Sequence, residues 1–215
     1  MNRTTMDKSA ETLLLLLDIA INGRVCDRIN NVDWQSVMNL SQVQGVRGLA
    51  YEALEILRQD DATCYSFPDR MTLMQWYAQT VFVEKRNAQY TNWVKNVVEL
   101  WKEHDIKTIV FKGLAHGRYY PKPAHREFGD FDCYLTDAHG NCAYRQGNEI
   151  ARDKGMMVED GWYKHSHIGY KNLTVENHRY FTSARRGGTD LALHKYMALC
   201  HPHHHRLSSE ARKDA

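Results

Sequence analysis

The spacing of apolar residues over the first hundred positions predicts helices. The run Leu13–Leu17 starts one apolar stripe, and Asp33 stands where a helix N-cap is expected. Two more stripes repeat every three or four residues, formed by Trp34, Val37, Leu40 and Val43 and by Leu49, Ala53, Leu54 and Leu57. From Pro68 to about position 103 the chain has no further Gly or Pro, so this segment forms either one long helix or two.

From position 106 onward the apolar residues no longer recur every three or four positions, and their spacing becomes typical of β-strands. The predicted strands are Ile106–Phe111, Asp130–Leu135, Tyr163–Tyr170 and Leu173–Phe181, and the predicted helices are Asn141–Lys154, ending at Gly155, and Asp190–Cys200. Lys171-Asn172 would form a two-residue hairpin turn in which Asn tolerates a positive φ. The expected fold class is α+β: an N-terminal helical region (1–103), a core with a small mixed β-sheet (104–185), and a short helix with a polar, His-rich tail (186–215).

Composition narrows the class of protein without naming a function. The 215 residues suffice for one globular core or for a small domain beside an accessory one. They are 43% hydrophobic and 25% charged, as in ordinary globular proteins, and the net charge of +2 gives no general polyanion signal. Five scattered cysteines without a CxxC pair favour free thiols in a reducing compartment.

The Leu13–Leu17 run is shorter than the roughly 20 apolar residues of a membrane span, and it lacks the features of a signal peptide. We therefore expect a cytoplasmic protein with no membrane partner.

Chemistry is concentrated between positions 106 and 135. Alternation along a strand places Asp130 and Asp132 on the same face, and two adjacent carboxylates favour a hard divalent cation such as Mg2+ between them. Lys112-Gly113 follows the preceding strand, so a phosphate turn and a metal pair together predict a nucleoside triphosphate site. Glu176, on a later strand, reaches the aspartates if the two strands are neighbours. Three carboxylates hold two Mg2+ ions, or one Mg2+ with a carboxylate left to accept a proton.

The order of these motifs resembles a known family. The segments VFKG, YYP, REFGDFD and VENH are similar to those of the uncharacterised bacterial nucleotidyltransferases of the DNA polymerase β-like superfamily, over roughly positions 106–181. The resemblance implies Mg2+ (or Mn2+) held by Asp130, Asp132 and Glu176, the last ligating metal or acting as the base. It also implies an NTP substrate, with ATP the expected one, and release of pyrophosphate. The acceptor stays open among protein, RNA and small molecules.

Further roles follow from the resemblance alone. Gly113 would let the backbone approach the phosphates, Lys112 would add positive charge there, and Arg126 would contact phosphate or brace the aspartates. His178 matches a family position without an assigned role. The chain departs from the wider superfamily in having Lys112-Gly113-Leu114 where Gly-Ser or Gly-Gly is usual, in a longer separation from Gly113 to Asp130, and in a short segment after the third carboxylate.

Simpler interpretations exist for each residue. A lone D-x-D pair often caps a turn, Lys112 and Arg126 would serve as solvated surface charges, and Glu176 would pair with a neighbouring Lys. His165 and His167 share a strand face and either line the site or belong to an ordinary surface strand. The tail histidines would bind transition metals adventitiously; they are His201, His203, His204 and His205.

Two other functions compete with transfer of a nucleotide. One is a non-catalytic regulatory or partner-binding protein of the same fold, antitoxin-like, and it would have a protein partner. The other is a nucleic-acid-binding module, against which the near-zero net charge and the absence of a basic stripe argue.

Overall fold

The computed structural model describes residues 7–23, 29–59 and 65–180. Its helices are α1 (Lys8–Asn22), α2 (Trp34–Val43), α3 (Arg47–Gln59), α4 (Arg70–Lys102), α5 (Gly113–Gly117) and α6 (Tyr144–Asp153), with a 3-10 turn at Pro123–His125. Its strands are β1 (Lys107–Val110), β2 (Asp130–Thr136), β3 (Met157–Glu159), β4 (His165–Tyr170) and β5 (Leu173–His178). The predicted α+β class is confirmed. The predicted Asp190–Cys200 helix and the His-rich tail lie outside the described residues.

The chain divides into two compact units. The first comprises Met1–Asn92 and Lys112–Gly129, and the second comprises Trp93–Phe111 and Asp130–Ala215. The segment after Pro68 forms a single helix, α4, of 33 residues, which settles the choice between one helix and two. The three-part division predicted from the sequence stays a prediction. Among the described residues, no helix is long and apolar enough to cross a membrane.

Apolar stripes of α1, α2 and α3 build the core of the first unit. The fully buried side chains include Leu16, Ile19, Val37, Leu54 and Trp76, and the Trp76 indole donates a hydrogen bond to the Arg47 carbonyl at 3.0 Å. The α2 start is fixed as predicted, because the Asp33 carboxylate accepts hydrogen bonds from the Ser36 amide (3.1 Å) and hydroxyl (2.7 Å).

A polar centre joins three elements of the first unit. The imidazole of His125, in the 3-10 turn, contacts Glu52 of α3 through Nδ1 at 3.1 Å and Glu84 of α4 through Nε2 at 2.9 Å. His125 is 2% exposed. Gly48 of α3 lies against it so closely that a Cβ there would come within 2.8 Å of the His125 Cβ. The 3-10 turn is therefore held to both helices by one side chain.

The second unit is a five-stranded mixed sheet with strand order β1-β2-β5-β4-β3. β2 and β5 are parallel, and the other three pairs are antiparallel. The connection from β2 to its parallel neighbour includes α6, which packs on the sheet face that carries Phe131, Cys133 and Leu135. On that face Asn148 of α6 accepts hydrogen bonds from Ser166 (2.7 Å) and Asn177 (2.8 Å). The opposite face is the one that carries the predicted carboxylates.

Three details differ from the sequence predictions. α6 begins at Tyr144 and not at position 141, because the Asp137 carboxylate accepts hydrogen bonds from the backbone and side chain of Asn141 and holds it in a turn. The Lys171-Asn172 hairpin turn is confirmed by the pairing of Tyr170 with Leu173, but the positive φ (57°) belongs to Lys171 rather than to Asn172. β3 and α5 were not predicted.

Candidate active site

Parallel pairing of β2 and β5 aligns the predicted carboxylates. Asp132 lies directly opposite Glu176, and Asp130 lies opposite Thr174. Because directly paired residues project from the same face, all three carboxylates lie on one side of the sheet. The strand of Glu176 is thus the neighbour of the strand of the two aspartates, which is the condition under which Glu176 was expected to reach them. The chemical roles assigned to the three carboxylates stay predictions.

His178 lies between two of these carboxylates. Its Nε2 atom is 3.0 Å from Asp132 Oδ1 and 3.1 Å from Glu176 Oε2. The His178 side chain is 1% exposed and that of Asp132 3%. One ring nitrogen is thus shared by the buried Asp132 and by Glu176, whose side chain is 16% exposed. A cation that bridged Asp132 and Glu176 would occupy this position. No role for His178 was predicted from the sequence.

Two more histidines approach Glu176 from β4. Antiparallel pairing sets His165 opposite His178 and His167 opposite Glu176. His165 Nδ1 lies 3.8 Å from Glu176 Oε2, and His167 Nε2 lies 3.5 Å from Glu176 Oε1. Glu176 is therefore surrounded by three imidazoles on the face that it shares with Asp132. We refer to these five residues, Asp132, His165, His167, Glu176 and His178, as the histidine–carboxylate cluster.

Aromatic rings limit the movement of the cluster. Phe111 contacts His178 edge-on, with ring centroids 4.8 Å apart at 66°. The indole of Trp162 is nearly parallel to the ring of His165, at 5° and 6.1 Å between centroids. Both contacts restrict the rotation of an imidazole that faces Glu176. The cluster is consequently preorganised.

Burial and negative charge shape the electrostatics of this region. Burial lowers the pKa of His165, and the charge of Glu176 opposes that shift. On the other face of β2, burial raises the pKa of the Cys133 thiol well above its ordinary value, and the charges of Asp132 and Glu176 add to the effect. Restricted solvation is therefore the main influence on both groups, and the charges of nearby carboxylates add to it at Cys133 and oppose it at His165.

The carboxylates fit an oxygen-preferring divalent ion. Asp130, Asp132 and Glu176 share one sheet face, and oxygen atoms of the last two lie close enough to share a single nitrogen of His178. Mg2+ prefers such oxygen donors. Asp130, Asp132 and Glu176 would be the ligands of such an ion.

The predicted phosphate-binding residues all belong to the first unit. Lys112 is exposed, has φ 55° and precedes α5, of which Gly113 is the first and a buried residue. The guanidinium of Arg126 donates to the Glu127 carbonyl and lies 5.9 Å from the centre of the Tyr120 ring. Arg126 is thus packed against its neighbours rather than fully solvated. Phosphate contact by these residues stays a prediction.

Arg126 also lines a cavity of about 540 Å³ within the first unit. Asn87 shapes its wall, because the amide of this residue donates to the carbonyls of Ala124 (2.7 Å) and Arg126 (2.8 Å). Arg118 and Phe128 complete a lining that is partly cationic and partly apolar.

The α+β fold, with helices and a five-stranded mixed sheet, is consistent with a nucleotidyltransferase-like protein. The comparison with protein families agrees: residues 30–211 match the model of a family described as uncharacterised nucleotidyltransferase, and the chain belongs to that family. Searches of the curated proteins and of the solved structures found no match.

The sequence pointed to the carboxylates more clearly than to the histidines around them. His165 and His167 alternate along their strand, as do Glu176 and His178, but alternation alone does not say which strands are neighbours. The two-residue turn between β4 and β5 indicates that these two strands are neighbours and fixes which of their residues pair. It requires Tyr170 to pair with Leu173, and counting back from that pair places His165 opposite His178.

Proposed function

We propose that this protein transfers a nucleoside monophosphate from an NTP to a hydroxyl group of an acceptor. Membership of a nucleotidyltransferase family supports transfer of a nucleotide in general. The observation that carries the specific proposal is the alignment of Asp132 with Glu176 on two parallel strands, on the face that Asp130 shares.

In this reaction the acceptor oxygen forms a bond to the α-phosphorus of the NTP, and the bond between that phosphorus and the pyrophosphate oxygen breaks. Pyrophosphate leaves with the bonding electrons, and the acceptor hydroxyl loses its proton. Asp130, Asp132 and Glu176 would hold Mg2+, which when bound supplies neutralisation of phosphate charge.

The chain's own residues would position the reactants and move the proton. Glu176 is the group to receive the acceptor proton when it does not serve as a ligand, because its carboxylate lies on the face of Asp132 and is 16% exposed. His178, hydrogen-bonded to that carboxylate, would fix its orientation. Lys112, Gly113 and Arg126 would contact phosphates, as the resemblance implies.

Calorimetric titration of each of the four NTPs, with and without Mg2+, tests the proposal without knowing the acceptor. We expect Mg2+-dependent binding of at least one NTP, lost in the Asp130→Asn/Asp132→Asn double variant. Asp153→Asn, an exposed carboxylate on α6, is the matched control. Absence of NTP binding to the folded wild-type protein would overturn the proposal.

One observation favours a second function. His178 Nε2 already lies within hydrogen-bond distance of Asp132 and Glu176, so the imidazole offers these carboxylates a partner without metal. A non-catalytic, partner-binding protein of the same fold would keep such an arrangement for stability. A folded protein whose thermal stability is insensitive to Mg2+ and to NTPs is the result expected for that function.

A further inference from the structure

The histidine–carboxylate cluster contains more nitrogen donors than a magnesium site uses. We propose that His165, Glu176 and His178 form a binding site for a divalent transition-metal ion of the Zn2+ and Co2+ type. The proposal shares Glu176 with the proposed function and does not depend on it, because such an ion binds to the protein without any NTP.

The register of β4 and β5 creates the donor set. His165 and His178 are directly opposite each other, and Glu176 precedes His178 by two positions on the same face. One ligand atom from each of the three residues lies within 4.8 Å of the others. Donors of a tetrahedral Zn2+ at about 2.0–2.1 Å from the ion are roughly 3.4 Å apart. The distance of 3.1 Å from His178 Nε2 to Glu176 Oε2 already meets this, and 3.8 Å from His165 Nδ1 to Glu176 Oε2 requires a small rotation.

An unsatisfied nitrogen points to a ligand at this position. His165 Nδ1 is buried and has no hydrogen-bond partner, although it lies 3.8 Å from Glu176 Oε2. A buried polar atom without a partner costs free energy, on the order of 1–3 kcal/mol in general. A metal ion between this nitrogen and Glu176 would satisfy it.

The chemistry of the donors selects the class of ion. Mg2+ prefers oxygen ligands in octahedral geometry, whereas imidazole nitrogen suits Zn2+, Co2+ and related ions. Two imidazoles and one carboxylate leave a fourth position open, as in catalytic rather than structural zinc sites. Trp162 and Phe111 hold the His165 and His178 rings in place, which is the supporting role that neighbouring side chains have in metal sites.

The test uses the full chain and removes a competing metal binder. The tail histidines His201, His203, His204 and His205 are replaced by Ala in every protein, so that adventitious binding by the tail does not contribute. Zn2+ affinity and stoichiometry are measured by competition with a chromophoric chelator, and Co2+ is added to record the visible absorption that distinguishes four-coordinate from six-coordinate ions.

We expect one Zn2+ per chain and a Co2+ spectrum of four-coordinate type. His165→Ala should weaken Zn2+ binding at least about tenfold and abolish that spectrum. The matched control is His104→Ala, an exposed histidine of the same unit, which should bind as the parent does. Because His165 is partly exposed, His165→Ala should stay folded, which circular dichroism checks, and His165→Asn provides a second variant.

Zn2+ binding that is absent, or that His165→Ala and His165→Asn leave unchanged, would overturn the inference. Titration of an NTP with Mg2+ on the same proteins separates this outcome from failure of the proposed function. Zn2+ binding without NTP binding contradicts nucleotidyl transfer and retains the metal site. NTP binding without Zn2+ binding contradicts the metal site and is compatible with the proposed nucleotidyl transfer.

Discussion

Two buried histidines of this protein each contact two carboxylates, and they do so in opposite ways. His125 of the first unit uses both ring nitrogens, Nδ1 for Glu52 and Nε2 for Glu84. His178 of the second unit uses Nε2 alone for both Asp132 and Glu176. The first arrangement separates the two acidic groups by the width of a ring, and the second brings them together at one atom.

The difference indicates different purposes. With both nitrogens engaged, His125 has no donor atom left for a ligand, and it connects the 3-10 turn to α3 and α4. His178 leaves Nδ1 buried and without a hydrogen-bond partner, and its two carboxylates converge where an ion would bridge them. We infer that the His125 centre serves stability and that the His178 centre serves binding. Substitutions in the His178 centre should therefore change ligand binding, and those in the His125 centre should change stability.

The largest effect is expected from Asp132→Asn. Loss of one charge at the convergence point should reduce Mg2+-dependent NTP binding and nucleotide transfer at least about a hundredfold, because metal-assisted charge stabilisation is removed. Transfer is measured by release of pyrophosphate once an acceptor is found, and NTP binding by calorimetry. Glu84→Gln in the His125 centre is the comparison variant. Equal NTP binding by the Asp132→Asn and wild-type proteins would contradict the assignment of Asp132.

His125→Ala should act on stability instead. Removing the imidazole leaves Glu52 buried without its partner, so the free energy of unfolding should fall by about 3 kcal/mol. Urea denaturation measures the change, with His104→Ala as an exposed control. Calorimetry on the folded variant should still detect Mg2+-dependent NTP binding with unchanged affinity. A variant as stable as the wild type would show that His125 does not hold the turn.

Addition of Mg2+ should distinguish the two centres through ligand linkage. An ion that binds only the folded state stabilises it by about 2.7 kcal/mol at a concentration one hundred times its dissociation constant. We expect this increment in the wild type and in His125→Ala, and its loss in Asp132→Asn. Thermal unfolding with and without Mg2+ provides the measurement. An increment that survives in Asp132→Asn would place the ion elsewhere.

The smallest effect is expected for a carboxylate whose partners are hydroxyl and amide groups instead of a histidine. Asp69, before α4, accepts hydrogen bonds from the Thr72 hydroxyl and amide and from the Met71 amide, and these lower its pKa below the ordinary 3.8. Its ionised form therefore adds stability above that pH, and the contribution is lost as pH falls through the pKa of the folded state. Asp69→Asn should slightly lower the thermal midpoint at pH 7, and the difference should shrink as pH falls below 3.8 and vanish once the pH lies below the lowered pKa of the folded state. A difference that persists in strong acid would contradict this cause.

The sequence predicted local structure better than the relations between elements. The Asp33 cap, the single face of Asp130 and Asp132 and the Lys171-Asn172 turn follow from contacts within a few residues, and each is present. The mixed strand order is not a local property, because it depends on which strands bury their apolar faces against α6. The convergence of three imidazoles on Glu176 needs only the register of the β4–β5 hairpin, whereas the pairing of Glu176 with Asp132 depends on the mixed strand order.

The length of the two-residue turn between β4 and β5 fixes which side chains of these strands face the site. The turn length therefore matters as much as any side chain of the site. Insertion of one residue between Lys171 and Asn172 that shifted the pairing by one would turn His165 and His167 toward α6 and expose Ser166 and Ile168. Insertions in the exposed turn at His139 and Gly140 would change no strand register. In an insertion scan of the gene, the hairpin should therefore be as intolerant as the carboxylates, although neither of its residues touches a ligand in the proposed mechanism.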